Sequence, residues 1–91
     1  MTEKKQDKAK AVALRYDRQK ENAPRVLAKG KGELARRIVD KAKEYGITIY
    51  KDDDLVEILA ALELDTEIPN ELYKAVAEVM VFIYKLNGKR K

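Results

Sequence analysis

Polar and apolar positions divide the chain into short blocks. Residues 1–10 are almost all polar. AVALRY at 11–16 reads as a strand with imperfect alternation, and RVLAK at 25–29 reads as a second. The polar stretch 17–24 between them makes the pair an antiparallel hairpin. Gly30 and Gly32 then interrupt the pattern. Leu34, Ile38, Ala42 and Tyr45 recur at helical spacing, which predicts a helix over 33–45 with one apolar face. Glu33 at its start and Lys41 and Lys43 near its end suit the helix dipole. Gly46 is the expected stop, because glycine takes a positive φ at little cost.

ITIY at 47–50 is short and β-branched and reads as a third strand. Strand, helix and strand over this length form a βαβ unit. The second and third strands should then be parallel, joined by a right-handed crossover. Asp52, Asp53 and Asp54 precede Leu55, Ile58, Leu59 and Leu62, which share one helical face. One of the aspartates is expected to cap this second helix. The alternative for three consecutive aspartates is a divalent-cation site. No further oxygen ligands stand at a recognisable spacing, so capping and charge compensation explain the run without a metal.

Pro69 opens a third helix that runs to about residue 86, where Asn87 and Gly88 end it. Leu72, Val76, Val79, Met80, Ile83 and Leu86 cover one broad face. Ala75, Ala77, Val81, Phe82 and Tyr84 leave much of the other side apolar, and Lys74, Glu78 and Lys85 make only a narrow charged stripe. A helix apolar nearly all round is buried on several sides or meets a partner. Residues 79–84 taken alone also fit a strand, but the Ala-rich flank favours helix. The expected fold is a small α/β domain: a mixed sheet of about three strands, a hairpin plus a βαβ unit, flanked by three helices. It occupies residues 11–87, between basic tails at 1–10 and 88–91.

Composition removes several functions. The 91 residues include no Cys and no His, so disulfides, thiolate metal sites and the commonest general base are excluded. No apolar run approaches the ~20 residues of a membrane span, and 1–10 is too polar for a signal peptide. The net charge of +4 resides in the tails. Residues 1–10 carry +2 and 85–91 carry +4, leaving 11–84 at −2. Within that body, 11–45 holds ten basic and five acidic side chains, whereas 46–84 holds two and nine. A nucleic-acid interface built on Arg15, Arg18, Lys20, Arg25, Lys29, Lys31, Arg36 and Arg37 is therefore the rival reading. No helix-turn-helix, RNP or KH pattern supports it. No catalytic constellation presents itself, and Gly30-Lys31-Gly32 is too short for a phosphate loop.

Several blocks, taken in order, carry a resemblance. AVALRYD at 11–17, APRVLAKG at 23–30 and ELARRI at 33–38 are followed by Ile68-Pro69, ELY at 71–73, AVAEV at 75–79, Tyr84 and Leu86. Together they resemble the cytoplasmic C-terminal domain of the bacterial type III export switch proteins, the FlhB/YscU/HrcU family. The resemblance covers about residues 11–86. It implies a small α/β domain following a membrane-embedded half. It also implies a part in selecting export substrates and in switching from rod and hook, or needle, subunits to later ones. The family cleaves itself at an Asn-Pro-Thr-His motif, where the Asn side chain attacks its own main-chain carbonyl. Counted back from the matching strand, those positions hold Gln6, Asp7, Lys8 and Ala9. The three asparagines, Asn22, Asn70 and Asn87, are followed by Ala, Glu and Gly, so the chain has no Asn-Pro bond to cleave. Asp53-Asp54 also stands where the family often has a Pro pair. The family strand before the motif maps to 1–5, which is too polar for a convincing strand.

The expectation is thus a stand-alone, non-cleaving binding module, a separately made equivalent of the fragment that cleavage leaves. MTEKK reads as its natural start. Loss of the preceding strand should leave one sheet edge for a partner strand, unless Lys8 and Lys10 block it. By resemblance, Ala23 and Pro24 with Ala77 and Met80 form a small hydrophobic recognition site for early export substrates. The partners expected are rod- and hook-type proteins and other export components. No cofactor, small-molecule substrate or membrane span is expected. The protein should be a monomer, although the apolar last helix leaves dimerisation open, and cytoplasmic, peripheral at the export gate.

Overall fold

The computed structural model describes residues 9–17, 19, 20 and 22–88. Strand β1 (Lys10–Arg15) pairs antiparallel with β2 (Arg25–Lys31), and three helices follow: α1 (Glu33–Glu44), α2 (Asp53–Ala60) and α3 (Asn70–Gly88). The mixed α/β class and the three helices match the sequence reading.

The two faces of the hairpin differ in side-chain size. Ala11 lies opposite Gly30 and Ala13 opposite Ala28. This face of small residues lets α1 approach closely. A Cβ on Gly30 would stand 2.6 Å from Leu34 Cγ and 3.1 Å from Ile38 Cδ1. The register shifts between Ala13 and Leu14, so Leu14 faces Val26 and Leu27 is left over as a bulge, half exposed. Val26, paired with Leu14, is fully buried. On the other face Val12 and Leu14 pack against the core formed by Ala23, Leu59, Ile68 and Val76. The sheet is therefore sandwiched: α1 on the small-residue face, α2 and α3 on the branched one.

Helix ends follow the expected chemistry. The Asp52 carboxylate accepts the Leu55 amide at 3.0 Å and caps α2. At the end of α1, Gly46 has φ 71°, the Gly46 amide donates to the Lys43 carbonyl, and the Ile47 amide reaches back to Ala42. This is a Schellman motif, and glycine supplies its left-handed residue. Gly32 also requires glycine, with φ 62° and ψ −125° at the start of α1. The apolar stripe of α1 is rotated from the expected one. Ala35 is the buried residue, while Leu34 is half exposed and Tyr45 lies outside under the Lys41 ammonium.

The third strand, and the parallel βαβ crossover it implied, are not formed. Among the described residues the sheet has two strands. Residues 47–50 run as irregular chain with Ile47, Ile49 and Tyr50 substantially exposed. The physical reason lies at the outer edge of β2. There the Val26 amide donates to Thr66 O, the Asp65 amide to Val26 O, and the Ile68 amide to Pro24 O. Arg25 bridges to Glu67 as an antiparallel pair. The loop 65–68 thus fills the place the predicted parallel strand would have taken. Asp65 adopts φ 62° to make this turn, a conformation Asp tolerates better than most residues.

Candidate functional site

The loop before β2 and the middle of α3 meet in the core. Ala23 is nearly buried and shares one cluster with Leu59, Ile68 and Val76, against which Met80 packs partly exposed. Pro24 is buried, and its carbonyl accepts the Ile68 amide at 3.0 Å. Ala77 is half-buried, and it lies three residues before Met80, on the neighbouring part of the same helix surface. The structure therefore brings Ala23 and Met80 together in one cluster. Ala23 and Pro24 are buried, whereas Ala77 and Met80 are partly exposed; Pro24 and Ala77 are not part of the Ala23 cluster. The burial of Pro24 was not readable from the sequence. It follows from the docking of 65–68 on β2.

Of the degenerate motif positions, Gln6, Asp7 and Lys8 lie outside the described residues. Ala9 is exposed, and its carbonyl accepts the Gly32 amide at 2.8 Å. Lys10, one of the two lysines read as guards of a sheet edge, places its ammonium on the Glu57 carboxylate of α2. The three consecutive aspartates act as cap and first turn of α2. Among the described residues no group of carboxylates is arranged to hold a metal.

Arg25, Lys29 and Arg36, three of the eight cations of the rival phosphate-binding reading, are held by contacts within the chain. Arg25 donates to the Asp65 carbonyl at 2.6 Å and stands 3.6 Å from its carboxylate. The Lys29 ammonium, partly buried, donates to the Ala60 carbonyl at 3.1 Å and to the Leu62 carbonyl. Arg36 pairs with Glu33 one turn away, and Arg18 lies outside the described residues. The Lys29 contact was not anticipated. The one sequence signal for it is that α2 has no basic residue in its own last turn.

A hairpin sandwiched between one helix and two defines the class: a small mixed α/β domain whose described helices include none long and apolar enough to cross a membrane. Its fold is that of the C-terminal domain of PscU, with TM-score 0.78 and 32% identity over 81% of this chain and 95% of that one. The crystal structure of the cytoplasmic domain of FlhB from Shewanella putrefaciens superposes with TM-score 0.83 at 36% identity, covering 89% of this chain and 64% of that one. Residues 8–83 match the FlhB HrpN YscU SpaS family, and the chain belongs to that family of flagellar and type III export switch proteins. It is 53% identical over 78 residues to the uncharacterized protein YlqH of Bacillus subtilis, covering 86% of this chain and 84% of YlqH. It is 42% identical over 74 residues to the flagellar biosynthetic protein FlhB of Aquifex aeolicus, covering 80% of this chain and 21% of FlhB. The chain thus spans about a fifth of the length of the FlhB relative.

Proposed function

We propose that this protein is a non-cleaving docking module of the flagellar or type III export apparatus. It binds early export subunits of rod and hook type at the surface formed by Ala77 and Met80 over Ala23 and Pro24. The observation that supports this most directly is the shared cluster of Ala23 and Met80, in a chain that belongs to the export switch family. Met80 adapts its side chain to varied apolar ligands, and Ala77 leaves room beside it. The Ile68 amide on the Pro24 carbonyl fixes that backbone beforehand, so little conformational freedom is lost there on binding. With no Asn-Pro bond in the sequence, the module does not cut itself and stays in one covalent state. It works in the cytoplasm beside the export gate.

The test is calorimetric binding of purified rod and hook-cap subunits to the wild type and to Ala77→Asp. A carboxylate at this half-buried apolar position should weaken binding at least about tenfold, or about 1.4 kcal/mol. The melting temperature should fall by only a few degrees. Unchanged affinity in a folded Ala77→Asp protein would remove the site from this surface.

A further inference from the structure

The side of α3 away from Ala77 and Met80 carries a second pattern. Glu71, Ala75, Glu78, Phe82 and Lys85 recur at alternating spacings of four and three and are all exposed. Val81 beside them is also exposed, at 52%. Phe82 meets Tyr50 edge-on, with ring centroids 5.8 Å apart. Tyr50, Leu55, Ile58, Ala75, Val79 and Phe82 line a shallow groove of about 400 Å³, which carries Asp52, Asp54 and Glu78 on its walls. Glu78 and Lys85 enter no ion pair among the described residues.

Glu78 and Lys85 are seven residues apart, two turns along one face, and the midpoint between them falls between Val81 and Phe82. Two copies of α3 laid antiparallel about that midpoint place each Glu78 opposite the other's Lys85. They also stack Val81 and Phe82 at the centre. A two-fold interface requires such a pattern, in which residue i meets j and j meets i. The acidic groove walls reinforce it, because each partner's Lys85 then arrives where Glu78, Asp52 and Asp54 stand unmatched by any lining cation.

We propose that this face of α3 is a self-complementary interface and that the protein forms an antiparallel two-fold dimer through it. Glu78, Phe82 and Lys85 point away from Met80, whereas Val81 lies one turn from Ala77, so the dimer borders the docking surface along that edge. Contact over a few helical turns is smaller than a standard protein interface, so association is weak, in the high-micromolar range, and salt-sensitive.

Sedimentation equilibrium from micromolar to millimolar protein tests this. The wild type is expected to show a monomer–dimer equilibrium. Glu78→Lys and Lys85→Glu should each weaken dimerisation at least tenfold, with unchanged circular dichroism, since both side chains are exposed. An equimolar mixture of the two variants should dimerise again, because each opposes the other's reversed charge. The doubly reversed chain should recover only in part, because the carboxylate it carries at position 85 meets Asp52 and Asp54 of the other copy. A wild type that stays monomeric throughout overturns the proposal. So does a dimer indifferent to both reversals, or a mixture no tighter than the single variants. Chemical shifts on this face caused only by another protein, without self-association, would also overturn it.

Discussion

Replacing Lys29 with methionine isolates the contact by which the sheet closes the end of α2. Lys29 sits on β2 opposite Val12, on the face that carries Val12 and Leu14 toward the core. Its ammonium reaches the Ala60 and Leu62 carbonyls, at the helix end where main-chain acceptors lack intrahelical donors. Methionine keeps most of the apolar stem and removes both hydrogen bonds and the charge. A hydrogen bond from a charged donor contributes about 1.5–3 kcal/mol, and a cation at a helix C-terminus about 0.3–1 kcal/mol. The site is only partly buried, so water recovers part of the loss and the net cost should be about 2 kcal/mol. For a domain of this size that lowers the melting temperature by roughly 8–16 °C. In urea, the midpoint should fall while the m-value stays constant. Lys31→Met, at an exposed position two residues on, should change stability by less than about 0.5 kcal/mol. If Lys29→Met matches the Lys31 control, Lys29 does not hold α2, and it returns to the set of cations available to phosphates.

Asp52→Ala removes the cap on the Leu55 amide and should cost about 1 kcal/mol by urea denaturation, whereas Asp53→Ala should cost less than half of that. Equal losses at the two positions would mean that the run acts as a charge cluster rather than a cap. Gly46→Ala should cost about 1–2 kcal/mol from backbone strain alone, since φ is 71° and no atom lies within 4 Å of the added methyl. Gly30→Ala acts by crowding instead and should cost about 1–3 kcal/mol. Truncating Leu34 to Ala in the same chain should relieve part of that loss, because Leu34 Cγ is the nearest obstacle.

The local chemistry was readable because it depends on neighbours in sequence. The hairpin, the three helices, the aspartate cap and the Gly46 stop each need only a few adjacent residues. The third strand was misread because 47–50 has a strand-like composition, and composition does not reveal whether a neighbouring edge is open. Thr66, Glu67 and Ile68 took the β2 edge, and nothing in TEI marks it as an edge-filling segment. The bulge at Leu27 is similarly silent, yet it sets the pairing of Leu14 with Val26. The family resemblance grouped Ala23 with Met80, and the two meet in one cluster; whether they receive a partner is what binding to export subunits tests. Lys29 was grouped only with the cations of the rival phosphate-binding reading, because the two carbonyls it meets lie more than thirty residues away.

Two-dimensional NMR of the labelled protein, titrated with rod and hook-cap subunits and with a DNA oligomer as control, tests the central claim most directly. The docking account predicts shifts centred on the amides of Ala23, Ala77 and Met80 with the export subunits, persisting at raised salt, and none of comparable size with DNA. Shifts confined to the basic residues of the first half, produced by DNA and abolished by salt, would contradict it and leave the resemblance to export switch domains as one of fold alone.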